Sequence, residues 1–180
     1  MRGHVPHRVY SRDRVRTGRR AAHECTMLIH ELTADECADV LSRTDLGRLG
    51  CCRFGQPYIV PIHFSFDREE LCAYAFSTVG QKIEWMRNNP KVCLEVEDIT
   101  DRDHWTTVIV TGRYAEIGQD PDDLDARHRA ERLFQQRREW WLPGAGKTTS
   151  GERARIVLYR IEVDRLTGRR AARDRERPLD

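Results

Sequence analysis

The spacing of hydrophobic and polar positions changes several times along this chain, and each change predicts an element. "TADECADVL" sets Thr33 three residues before Glu36, the reciprocal pattern that caps a helix start, and predicts a short helix through about Leu41. "GRLGCC" and "PYIVPIHFSF" then read as strands separated by the glycine turn "RFGQ". Pro57 and Pro61 cannot donate to a ladder, which predicts an edge or bulged position for the second strand. The polar turn "DREE" and the strand "LCAYAF" come next. "STVGQKIEWMRNNP" predicts a turn and a short helix with Ile83, Met86 and Trp85 on its apolar side. Asn88-Asn89-Pro90 ends it, because the residue before proline is pushed out of the helical region. "KVCLEVE" and "HWTTVIVTGRYAEI" read as two strands joined by an acidic loop. Over 121–141 the period lengthens, with Ala126, Ala130, Leu133, Phe134, Arg137 and Trp141 on one helical face. "LPGAGKTTSG" reads as a loop, "RARIVLYRIEVDRL" as the last strand and "TGRRAARDRERPLD" as a charged tail. Strands at short intervals with two or three helices predict a mainly β fold, a small antiparallel barrel with helical additions.

Composition adds boundaries. A length of 180 residues, 39% hydrophobic and 33% charged, fits one domain with extra chain at its ends. No apolar run approaches the roughly 20 residues of a membrane-spanning helix. The first segment is rich in arginine and has no apolar core, so it does not read as a secretory signal, and a cytoplasmic location is expected. The net charge of +2 conceals an asymmetry. Residues 1–26 hold seven arginines against Asp13 and Glu24, which leaves 24 basic and 27 acidic residues, or −3, for the rest. The expected organisation is a basic, disordered extension over 1–26, a barrel domain over 27–166 and a charged tail over 167–180. A mildly acidic body argues against nucleic acid as a partner; an arginine-rich head acting on nucleic acid is the minor alternative. The six cysteines include no C-x-x-C pair, and several lie in apolar strand-like runs, so reduced, buried thiols are expected and no metal site.

Two stretches suggest phosphate. "PGAGKTTS" imitates a nucleotide-binding loop, but the required glycine five positions before Gly146 is Trp141, and a strand rather than a helix follows. "STVGQKIEW" is the stronger signal. It places Lys82, one of only three lysines, in the first turn of a helix, where free N–H groups and the dipole favour an anion. Ser77 and Thr78 add hydroxyl donors.

The order "LGRLGC…PYIVPIHF…LCAYAFSTVGQKIEWMRNNPKVCLEVED…HWTTVIVTGRYAEI…RIEVDRLTGRRA" resembles the FMN-binding split-barrel family related to pyridoxamine 5′-phosphate oxidase, and most resembles its nitroimidazole-resistance-like branch. The resemblance spans roughly Met27 to Ala171, and its most specific part is K-x5-NNP-x-V. It implies a split β-barrel of Greek-key type, homodimeric, with FMN at the subunit interface. The FMN phosphate would sit at the strand-to-helix turn, among Ser77, Thr78, Gly80, Gln81 and Lys82. The flavin ring would lie along "VPIHF", against Ile62, His63 and Phe64, and Trp105 and Thr107 would approach from the other side. His63 would be the catalytic group, since imidazole suits proton transfer near neutral pH.

The implied activity is that of an oxidoreductase passing electrons from a reduced nicotinamide or deazaflavin donor to a small nitroaromatic- or quinone-like acceptor. The alternative is a non-catalytic barrel that holds flavin or haem for sensing. Two departures separate the chain from the oxidase itself. Gln81 stands where the oxidase commonly carries arginine, and the oxidase's C-terminal pyridoxal-binding segment has no clear counterpart, so pyridoxamine phosphate oxidation is not expected. Trp140 and Trp141, at the end of the long helix, are candidates either for a helix staple or for covering a partner subunit's flavin edge.

Overall fold

The consecutive strands β3 (Gln56–His63) and β4 (Ser65–Asp67) lie at opposite ends of the sheet, joined through Phe64. That junction makes the curled sheet a split barrel. In this computed structural model residues 27–136 and 155–173 are described. The remaining elements are β1 (Met27–Glu31), α1 (Ala34–Arg43), β2 (Leu46–Arg53), β5 (Cys72–Thr78), α2 (Gln81–Asn88), β6 (Lys91–Ile99), β7 (Trp105–Glu116), α3 (Leu124–Gln135) and β8 (Ile156–Arg173), with one 3-10 turn at Pro121–Asp123. The strands pair antiparallel in the order β3-β2-β6-β7-β8-β5-β4, with β1 also on β8. The path does not close by hydrogen bonds. Phe64 bridges its edges covalently, with its N–H donating to Asp45 O at 2.9 Å and its side chain 1% exposed.

Local signals placed most elements. Thr33 and Glu36 form the expected capping box, with Glu36 N–H donating to Thr33 Oγ1 at 3.3 Å and Thr33 N–H to Glu36 Oε2 at 2.9 Å. The proline-bearing strand β3 is an edge strand, as expected from its missing donors. The turn before it uses two left-handed residues, Phe54 (φ 50°) and Gly55 (φ 79°), the backbone a tight hairpin requires. Ile83 and Met86 are buried under α2. In β2, β6 and β7 alternate positions such as Leu49, Leu94, Val96, Val108 and Val110 turn inward and form the core with Phe64 and Ile161.

The differences from the expected pattern have physical causes. "PYIVPIHFSF" is two strands because the chain leaves one sheet edge for the other at Phe64. The last strand runs past Leu166 to Arg173, through the segment expected as a charged tail. Pairing to β7 on one side and β1 on the other holds it, while Arg169 and Arg170 stay exposed and Ala171 is buried. β1 was not expected as a strand; all five of its residues are exposed, so it carries no alternation to read. The long helix begins at Leu124, after the 3-10 turn; Arg137 and the tryptophans at 140 and 141 lie outside the described residues, as do the 1–26 extension and the "LPGAGKTTSG" loop. Cys37, Cys51 and Cys72 are buried free thiols, but Cys93 is exposed, because its strand parity turns it to the outer face.

Gly112 marks the one shift in the β7–β8 register, between Thr111 and Gly112. A Cβ there would stand 2.2 Å from Glu162 O, a backbone atom with nowhere to go. Gly112→Ala is therefore expected to cost about 1–3 kcal/mol through overpacking, read as a lower denaturant midpoint at unchanged slope.

Candidate functional site

β5 delivers the chain to a two-residue turn, Val79-Gly80, and α2 begins at Gln81. Gly80 is the N-cap, in extended backbone, and offers no side chain to the first-turn N–H groups. A Cβ built on it meets nothing within 4 Å, so the helix start opens onto free space. The helix lies across the end of the β2–β3 hairpin. Trp85 packs on Tyr58 with ring centroids 5.5 Å apart, and Asn89 Nδ2 donates to Cys52 O at 3.0 Å. At its far end Arg87 grips Glu116 in two contacts, and Tyr114 Oη donates to the same carboxylate at 2.7 Å.

This docking half-buries Lys82. Among the described residues it makes no hydrogen bond or ion pair, and Glu84, two positions on, is exposed on another side of the helix. Burial lowers the pKa of the ammonium, with only the Cys51 side chain acting the other way. Cys51 is no counter-ion. Burial first, then Cys52 and Cys93, push its thiol up against the pull of Lys82, so it stays neutral. Beyond Cys51 lies Tyr159, whose Oη is buried with no hydrogen-bond partner among the described residues, and whose pKa is raised mainly by burial. A desolvated cation without an anion is costly, and a phosphate arriving at the open helix start would relieve it.

The other expected residues fall in three places. Ser77 is buried and its Oγ donates to Thr78 O at 2.9 Å; Thr78 is half-buried beside it and Gln81 is exposed. Ile62 (6% exposed) and Phe64 (1%) turn into the core, away from any ligand on the outer face. His63 alternates to the other face at the seam, paired with Leu46. It stands five residues along β3 from Tyr58, about 16 Å from the level of Lys82. Trp105 and Thr107 lie at that same far end, in the middle of the sheet, where Thr107 pairs with Glu97 and Arg169.

Sequence reasoning missed a second feature. On the outer face beside the hairpin is a mainly apolar groove of about 450 Å3, lined by Gly50, Cys52, Tyr58, Ile59, Cys93 and Thr111. Cys51 lines it too, so the groove adjoins the surroundings of Lys82. The available signal was Gly50, a glycine inside a strand, over which Cys93 Sγ packs 2.7 Å from where a Cβ would be.

Residues 33–170 match the family described as pyridoxamine 5′-phosphate oxidase. An uncharacterised protein of Rhizobium meliloti (strain 1021) is 40% identical over 149 residues, 81% of this chain and 97% of its own length. A solved FAD-binding protein of Mesorhizobium loti is 35% identical with a TM-score of 0.67, covering 82% of this chain and 99% of the other. A candidate 5-nitroimidazole antibiotic resistance protein of Bacteroides thetaiotaomicron, 17% identical, shares the fold at a TM-score of 0.57, over 84% and 93% of the two chains.

Proposed function

We propose that this chain, which belongs to the pyridoxamine 5′-phosphate oxidase family, binds FMN without a covalent bond and acts as an oxidoreductase. The observation that carries the reading is Lys82, a half-buried ammonium without an anionic partner among the described residues, at a helix start that nothing caps. Lys82 would hold the phosphate as a charge-assisted partner, with the first-turn N–H groups of α2 as further donors. One cation and one helix start suit a single phosphate, which favours FMN over a dinucleotide.

The apolar groove around Tyr58 and Ile59 offers the dry, flat surface a flavin ring needs. Bound there, the flavin would supply the electron transfer, and the protein the binding, orientation and exclusion of water. His63, at the seam on the same outer face of β3, is the residue we assign to proton transfer with the acceptor. The exposed Leu46 (50%) and Ile59 (69%) on the β2–β3 half form the surface a second copy would cover, which would make the protein a homodimer with flavin at its interface. The donor would be a reduced nicotinamide or a reduced deazaflavin, and the acceptor a small nitroaromatic or quinone.

The test is a visible spectrum of the purified protein after incubation with FMN or FAD and desalting, followed by anaerobic addition of each donor. Retained flavin bands that bleach with a donor and return with a nitroaromatic or quinone are the expected result. Retained flavin that no donor reduces leaves a binding protein and removes the enzyme. A haem spectrum from the purified protein, or no retention of either flavin, overturns the flavin reading.

A further inference from the structure

A groove of about 480 Å3 lies on the outer face where β7, β8 and β1 meet, far from the Lys82 turn. Register sets its walls: Thr107 stands opposite Arg169, Ile109 opposite Thr167, and Glu31 on the other side of Arg169. Arg165 and Arg169 are four residues apart on one face of β8, a Cα spacing of about 13 Å. Both are exposed. Arg165 has no ion pair among the described residues, and Arg169 reaches Glu31 only at 3.8 Å, with side chains 65% and 85% exposed. Their neighbour Arg170, on the opposite face, is engaged instead, with Thr106 Oγ1 at 3.5 Å and Glu36 Oε1 at 3.7 Å. The Thr107 and Thr167 hydroxyls make no hydrogen bond among the described residues. Leu32, Ile109 and Leu166 give the groove an apolar floor.

We infer that this groove binds a nucleoside diphosphate, with its two phosphates between Arg165 and Arg169. Guanidinium groups suit phosphate because their fixed fork of donors matches its oxygens. Two arginines approaching from either side of Thr167 supply one fork of donors for each phosphate of a diphosphate. The Thr107 and Thr167 hydroxyls complete the donor set, the apolar floor takes the base, and Glu31 accepts from a sugar hydroxyl. The inference goes beyond the flavin reading and does not depend on it, since neither the Lys82 turn nor the groove beside Ile59 takes part, and Thr107, which the family resemblance set near the flavin, lies in this groove instead.

Titration of the full chain with ADP in a calorimeter tests it. Saturable one-to-one binding is expected, weakened at least tenfold by Arg165→Ala and by Arg169→Ala, partly restored by lysine at either position, and unchanged in Lys82→Met. These arginines are exposed, so the variants should fold, and a wild-type circular dichroism spectrum checks this. Retention of FMN by the double arginine variant should also match the wild type, which separates this site from the flavin site. The inference is overturned if ADP gives no binding, or binds the double variant as well as the wild type. It is also overturned if Lys82→Met abolishes ADP binding while the arginine variants keep it, since ADP would then sit at the helix start.

Discussion

Replacing Lys82 by methionine is expected to strip flavin from the protein without lowering its stability. Methionine fills much of the volume of the lysine stem and carries no charge into the half-buried site beside Cys51. Losing a charge-assisted contact to phosphate removes about 1.5–3 kcal/mol of binding, or roughly a tenfold to hundredfold rise in Kd, read from flavin retention and fluorescence titration. The apo protein should melt at the wild-type temperature or above, because exchanging a desolvated, unpaired charge for an apolar group of similar size is neutral to stabilising. A purely structural lysine predicts the reverse, a lower melting temperature with flavin binding intact.

The same residue sets a pH signature. Burial lowers the pKa of Lys82, so between that lowered value and the ordinary lysine range the unfolded chain binds more protons than the folded one. Stability contributed by Lys82 therefore rises with pH across the window. Below the window the folded apo protein carries the full cost of the buried ammonium, and above the window it carries none. The stability of the wild type relative to Lys82→Met should thus improve as pH rises, while FMN retention by the wild type falls as the ammonium is lost. Opposite slopes for apo stability and flavin retention, both absent in the variant, are the result that ties the two properties to one proton.

Legibility followed the range of the interaction. The capping box at Thr33 and Glu36, the edge position of the proline-bearing strand and the helix stop at Asn89-Pro90 depend on neighbours in sequence, and each was readable. The position of Lys82 at a strand-to-helix turn was readable for the same reason. Its burial was not, because that depends on Trp85 docking on Tyr58 and so on where the β2–β3 hairpin lies. β1 and the end of β8 stay in the sheet although their sequences are polar or unpatterned; each satisfies the other's backbone groups, and such a pairing leaves no period in either segment. The arginines of β8 look like a solvated tail in sequence. Only the register with β7 and β1 sorts Arg165 and Arg169 to the groove and Arg170 to the opposite face.

Phe64→Ala should give the opposite result to Lys82→Met, a large loss of stability with flavin affinity retained by the molecules that remain folded. Family resemblance placed Phe64 beside the flavin ring, one residue from His63, but alternation turns His63 outward and Phe64 into the core at 1% exposure. Phe64 occupies the single point where the two edges of the sheet are joined, between the end of β3 and the start of β4. Truncating it leaves a cavity at the one place where the barrel has no ladder to hold it shut. The expected cost is about 3–5 kcal/mol, a fall in Tm of roughly 10 °C or more for a chain of this size. Thermal unfolding together with flavin titration below the new midpoint separates the two roles. A normal Tm with lost flavin would make Phe64 a ring contact and reverse the inward assignment of this part of β3. A low Tm with normal affinity makes it the residue that closes the split barrel, and leaves the outer face, with His63 and the groove beside Ile59, as the surface on which the proposed flavin site would be tested next.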